Sequence, residues 1–224
     1  MALQPIEGQP GLFRDTDTGQ VVNIRDFRES DKYDTIVIPA GTAIAAGTEF
    51  QFFADLNLKN TTDTNLKTSR KLSAGESMVL DRIGLYFRLA VGDNLSVPRD
   101  LKKVFENSYY SLRINEILQD EGPAVKFPSG YGIYGQTNEN DNGIVSIGVP
   151  ATASAARLVK KQMLNQNHEL QGVLRFDARN WASAAANGQG SALGPATFTQ
   201  VPTLDEPAMV TNYLHGLIRA AVTK

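Results

Sequence analysis

An all-β chain folded as an antiparallel β-sandwich is the fold class this sequence predicts. Two observations carry it: apolar and polar side chains alternate over long stretches, and the candidate strands follow one another with little helix and no α/β alternation. The longest alternation runs from Gly47 to Val91. Over Thr48–Lys59, residues Phe50, Phe52, Ala54, Leu56 and Leu58 point one way, and Glu49, Gln51, Asp55, Asn57 and Lys59 the other, with Phe53 the exception. Over Met78–Val91, residues Val79, Ile83, Leu85, Phe87, Leu89 and Val91 share a face opposite Arg82, Gly84, Tyr86 and Arg88. We expect two long paired strands with one face on a core. The polar excursion between them, Asn60–Gly75, is longer than a usual hairpin loop. Loops of this kind on a rigid scaffold are where partner contacts sit.

The remaining elements fall in order. Met1–Thr18 carries Pro5, Gly8, Pro10 and Gly11 and is expected to be an extended arm, because proline fixes its own φ and disfavours helix before it. Leu3, Ile6, Leu12 and Phe13 are its candidate contacts with a neighbouring subunit. Val21–Ile24 is a short strand candidate, and Arg25–Lys32, dense in both signs of charge, is expected to be a solvated connection. Tyr33–Pro39 is a strand, ended by its proline. Arg99–Asn107 is a short helix, with Leu101, Val104 and Phe105 at helical spacing. Tyr109–Leu118 is a strand broken by Gly122-Pro123, with Val125–Phe127 a short edge segment. Asn142-Gly143 signals a primed hairpin turn. Ala151–Leu164 suits helix or strand. Leu170–Phe176 alternates cleanly, Thr197–Val201 is a short strand, and Met209–Val222 is the last, with Val210, Leu214, Ile218, Ala220 and Val222 on one face. Eight or more strands with at most one or two short helices predict a sandwich, with jelly-roll or other Greek-key topology as the options. No internal repeat or linker is visible. The division expected is an arm and charged connection over 1–31 and a single β-sandwich domain over 32–224.

Bulk properties exclude several functions. The 224 residues carry a net charge of −2, so phosphate neutralisation is not a driving force, and no specific nucleic-acid partner is expected. The absence of cysteine removes disulfides, thiolate nucleophiles and zinc-thiolate sites. No secretory signal opens the chain, and no apolar run approaches the roughly 20 residues of a membrane span. Without a signal, the sequons at Asn60 and Asn94 are chance matches.

Motifs for chemistry are sparse. His168 and His215 read as ordinary surface histidines, since a zinc site needs three or four ligands. Ser191 lies among glycines but lacks a nucleophile elbow, and its segment is no dinucleotide fingerprint. Asn138, Asn140, Asn142 and Gly143 follow EF-hand spacing, but the twelfth position is Val149 rather than a glutamate. Asp81, Glu116, Asp120, Glu121 and Asp177 offer carboxylates that nothing brings together. The expectation is no enzyme, no cofactor and no metal. Tyr109, Tyr131, Tyr134 and Trp181 are stacking candidates for the alternative, a carbohydrate- or ligand-binding module.

With these strands laid out, the chain resembles the jelly-roll capsid proteins of tailless icosahedral bacteriophages, some of which carry an internal membrane. The resemblance rests on the Pro/Gly-bearing arm, the strands Thr48–Lys59 and Met78–Val91 with their excursion, and the final strand Met209–Val222. It implies a single jelly roll that assembles into a shell with copies of itself and other virion proteins, made in the host cytoplasm and located in the virion. It transfers no catalytic residues. Besides the arm, Lys59 next to the excursion and Lys67, Arg70 and Lys71 within it are the candidate subunit contacts.

Overall fold

The structure is a computed structural model, and it describes residues 3–16, 19, 21–23, 26–88, 98–128, 133–134, 146–147, 155–176 and 203–219. The strands in chain order are β1 (Leu3–Pro5), β2 (Leu12–Asp15), β3 (Val21–Asn23), β4 (Arg28–Ile38), β5 (Glu49–Phe52) and β6 (Ser77–Arg88). After helix α1 (Pro98–Asn107) come β7 (Ser108–Ile114), β8 (Ile117–Pro123), β9 (Ile133–Tyr134), β10 (Ser146–Ile147), β11 (Ala156–Asn165), β12 (Leu170–Phe176) and β13 (Ala208–Arg219). Two four-stranded sheets, ordered β4-β13-β6-β11 and β5-β12-β7-β8, form the antiparallel sandwich that the alternation predicts.

The pairing has a simple rule. Of these eight strands, the first (β4) lies beside the last (β13), the second (β5) beside the seventh (β12), the third (β6) beside the sixth (β11), and the two middle strands β7 and β8 beside each other. The eight strands therefore behave as one long hairpin wound around a common core, with successive turns placed alternately in the two sheets. Ile36, Ile38, Leu80, Ile83, Leu85, Val210 and Leu214 from one sheet meet Phe52, Tyr110, Leu112, Leu170, Leu174 and Phe176 from the other. Tyr110 anchors the centre, with ring centroids 6.0 Å from Phe52 and 5.0 Å from Phe127. Helix α1 caps the core through buried Leu101 and Val104, and Phe105 meets Phe87 edge-on at 5.0 Å. Buried Asp100 accepts the Asp205 and Glu206 backbone N–H groups at 2.8 Å each, tying the helix to the entry of β13.

Several expectations are corrected. The strand expected over Thr48–Lys59 ends at Phe52, because Phe53 and Leu58 adopt left-handed φ of 66° and 62°. Its partner is β12 rather than β6, so the two stretches lie in opposite sheets. In β6 the inward face is Met78 and Leu80 and then Ile83, Leu85 and Phe87; pairing with β13 steps from Arg82 to Leu80, leaving Asp81 as an extra residue that flips the phase. Val79 consequently leaves the face expected for it. The charged stretch Arg28–Lys32 is strand rather than connection, paired with β13 along its whole length. Tyr109–Leu118 is two strands, turned at Asn115-Glu116 with both φ positive (48° and 66°), and Gly122-Pro123 continues β8 instead of breaking it. Val125–Phe127 contributes to a 3-10 turn, Ala124–Lys126. Ala151–Leu164 resolves as strand from Ala156. The arm is not simply extended: β1, β2 and β3 make a small antiparallel sheet of their own. β9 pairs with β10, but the Asn142-Gly143 turn lies outside the described residues, as do Thr197–Val201 and residues 89–91.

Candidate functional site

Two regions gather polar chemistry: the excursion after β5 and the outer face of the sheet β4-β13-β6-β11. The excursion is stitched to the edge strand β4. Period two puts Lys32, Asp34, Ile36 and Ile38 on the inward face of β4, so a carboxylate enters the core with its apolar neighbours. Asp34 is fully buried. It accepts the Phe53 backbone N–H at 2.7 Å, and both its oxygens lie 2.8 Å from the Lys59 ammonium. Asn65 adds three bonds to β4: its Oδ1 accepts from Tyr33 N–H, its backbone N–H donates to Tyr33 O, and its Nδ2 donates to Asp31 O. Tyr33 also donates its hydroxyl to Thr61 O.

The four basic contact candidates therefore separate. Lys59 is turned inward onto Asp34, not outward as alternation suggested. Arg70 is engaged within the chain, donating to Glu169 at 3.0 Å and to Gln51 at 2.8 Å. Lys67 and Lys71 are exposed. Of the arm candidates, Ile6, Leu12 and Phe13 are half-buried, and Leu3 pairs with Asp15 between β1 and β2. Near the base of the excursion, Glu76 accepts from buried Lys32 at 2.8 Å. Burial pushes the Glu76 carboxyl up, but the Lys32 ammonium and the Ser73 hydrogen bonds outweigh it and hold the group below its ordinary 4.5.

On the outer face, register builds a charged row across four strands: Asp31 on β4, His215 on β13, Arg82 on β6 and Arg157 on β11. The bulged Asp81 joins it, 3.3 Å from Arg82, 3.5 Å from Lys161 and 3.7 Å from Arg157. His215 Nδ1 lies 2.8 Å from Asp31. A cavity of about 300 Å³ opens here, lined by Glu29, Val79, Asp81, Arg82, Lys161, His215, Gly216 and Leu217. Bulges commonly re-aim side chains in this way. Yet His215 Nε2 and Asp81 Oδ1 are both sealed from solvent without a hydrogen-bond partner, so neither is presented to a molecule in the cavity. The charges pair with one another and brace the sheet. The ring of His215 stacks at 5.7 Å on Tyr213, which lies 5.6 Å from Tyr33, giving a row of three rings on the same face.

The other sequence candidates stay apart. His168 sits in the turn before β12, its Nδ1 accepting from the Asn165 N–H. Tyr109 lies on the outer face of the second sheet under the Arg175 guanidinium, 5.4 Å from the ring centroid. Asp120 pairs with Lys126 and Glu116 lies in the β7–β8 turn. Tyr134 is in β9, whereas Tyr131, Asp177, Trp181, Ser191 and the Asn138–Asn142 spacing lie outside the described residues. Among the described residues, no three His, Asp or Glu side chains gather to hold a metal ion, and no helix is long and apolar enough to cross a membrane.

Sequence reasoning missed Asp34, His215–Asp31 and the buried Asn212. Two of these are readable from phase, since Asp34 alternates with Ile36 and Ile38, and Asn212 with Val210 and Leu214, whereas the His215–Asp31 contact rests on the pairing of β13 with β4. Comparison of the chain with protein families, with characterised proteins and with solved structures gives no match.

Proposed function

We propose that this chain is a structural shell subunit: a capsid protein on a single jelly roll that assembles with copies of itself and other virion proteins and has no catalytic role. One observation carries the reading, the eight-strand hairpin wound into sheets β4-β13-β6-β11 and β5-β12-β7-β8. This wrapping is how a double-sheet jelly roll disposes its two Greek keys, an architecture used by viral capsid, lectin and cupin domains. The charges of the outer-face row pair within it, and the excursion is pinned to β4, which suits a rigid building block. The β1-β2-β3 sheet lies at the chain's start and leaves Leu12 and Phe13 half-buried, open to completion by a neighbour.

The test is assembly. Purified full-length chain should form defined oligomers or shells by size-exclusion chromatography and negative-stain microscopy. Deleting residues 1–11, which removes β1, should weaken assembly while leaving the melting temperature nearly unchanged. Equal assembly by the truncated chain would remove the arm from the account.

A second reading, a carbohydrate- or ligand-binding module, is favoured by the Tyr33–Tyr213–His215 row beside the cavity, because aromatic faces stack on sugar rings. Glycan-array binding abolished by Tyr213→Ala would favour it over the shell.

A further inference from the structure

Strand β8 ends the sheet order β5-β12-β7-β8, and among the described residues only β7 pairs with it. Ile117 and Leu118, at its start, are 67% and 42% exposed, and Val125, just past its end, is 48% exposed. An open edge flanked by exposed apolar side chains invites a strand of another chain to add to the sheet. β4, an edge of the other sheet, is covered by Asn65 of the excursion. β8 is covered by side chains instead.

An antiparallel ladder alternates residues bonded to the partner strand with residues that turn both backbone groups away from it. Glu121 is of the second kind. Its N–H donates to Asp120 Oδ1 at 2.8 Å, and its carbonyl accepts from Lys126 Nζ at 2.9 Å. The same ammonium pairs with Asp120, so these groups close a ring over the edge. Pro123, two residues on and in the same phase, has no N–H to offer. Toward the other end, Gln119 is the extra residue of a bulge, and its amide donates to the Ile117 carbonyl at 3.1 Å. The turn Ala124–Lys126 brings the chain back onto the strand, and Gly122 leaves space for the Lys126 stem: a Cβ there would lie 2.7 Å from Lys126 Cδ. The Lys126 side chain is 44% exposed, and an ion pair that open adds little to stability.

We propose that Lys126, held by Asp120 across the outer side of β8, is an edge guard: it occupies the backbone groups through which this sheet would otherwise extend onto a strand of another chain. The test incubates wild type and Lys126→Ala at equal concentration, well below their melting temperatures, and follows thioflavin T fluorescence and the intermolecular β-sheet infrared band. Lys126→Ala should melt no more than about 4 °C lower, yet gain both signals and form fibres in negative stain where wild type gives none. Thioflavin T separates this from shell assembly, which leaves the sheets of each sandwich as they are, so the outcome does not depend on the shell reading. Adding Glu121→Pro to Lys126→Ala should abolish the fibres, because proline removes the outward N–H without taking a bond from the ladder. A merely destabilised chain would aggregate more, not less, with that proline. Lys126→Ala as free of thioflavin T signal as wild type would overturn the proposal, and so would fibres that Glu121→Pro leaves unchanged.

Discussion

The Asp34–Lys59 pair gives the sharpest stability prediction. Lys59→Met keeps most of the aliphatic stem and removes the charge. Asp34, fully buried, then keeps the Phe53 N–H as its donor, at 2.7 Å, having lost both 2.8 Å contacts to the ammonium. Removing one member of a buried ion pair costs about 3–5 kcal/mol, because the other charge stays desolvated without compensation. For a domain of this size, 1 kcal/mol corresponds to about 2–4 °C. The variant should therefore melt about 6–20 °C lower and show the loss as a shifted midpoint in urea. Adding Asp34→Asn removes the stranded charge while its amide oxygen still accepts from Phe53, so the double variant should regain about 2 kcal/mol over Lys59→Met. A single variant within about 1 kcal/mol of wild type, or a double no better than the single, would refute the reasoning that a desolvated pair pins the excursion.

Three further outcomes follow from the same geometry. A Cβ at Gly216 would lie 2.1 Å from the Val79 carbonyl oxygen, and backbone cannot yield as a side chain can; Gly216→Ala should cost about 1–3 kcal/mol in urea denaturation and perturb the bulge at Asp81. Tyr110 and Asn212 are both fully buried, with the Asn212 amide donating to the Tyr110 hydroxyl; Tyr110→Phe should cost about 1–3 kcal/mol, and Tyr110→Phe with Asn212→Leu should lose less, because no polar group is then left unpaired. Glu76 has a folded-state pKa below its ordinary 4.5, so the stability it contributes is complete above that value and is lost as pH falls through the lower folded value; Glu76→Gln should flatten that part of the stability–pH curve.

Much of the sandwich is legible where one face alone is buried. β12 alternates without interruption, burying Leu170, Gly172, Leu174 and Phe176, and β13 keeps its phase from Ala208 to Leu214. Helix α1 is legible from Leu101, Val104 and Phe105. What period two cannot convey is where a strand stops being a strand. Phe50, Phe52, Ala54, Leu56 and Leu58 alternate well, but the Asp55 and Asn60 side chains accept the backbone N–H groups of Asn57 and Thr62, local bonds that compete with a ladder. Phe53, the one break in the pattern, marks the end of β5. A bulge hides differently: Asp81 shifts β6 by one residue, and a fixed alternation assigns Val79 to the wrong face. Partner choice is less legible still, because which strands pair depends on long-range wrapping. Thr48–Lys59 and Met78–Val91 look like a hairpin in sequence and lie in opposite sheets. The candidate site follows the same pattern. Exposure of Lys67 and Lys71 agrees with their polar surroundings, whereas Lys59 and Arg70 look equally free in sequence, yet Lys59 is drawn inward by Asp34 across 25 residues and Arg70 is engaged at the surface by Glu169 across 99.

Self-assembly of the folded chain is the central claim, and sedimentation velocity of the purified full-length protein over a wide concentration range, with electron microscopy of the fastest fraction, tests it most directly. The account predicts a concentration-dependent shift from monomer to discrete large species that image as closed shells or regular oligomers. A chain that keeps its β-sheet circular dichroism and cooperative melting but sediments as a monomer at the highest concentration would contradict it.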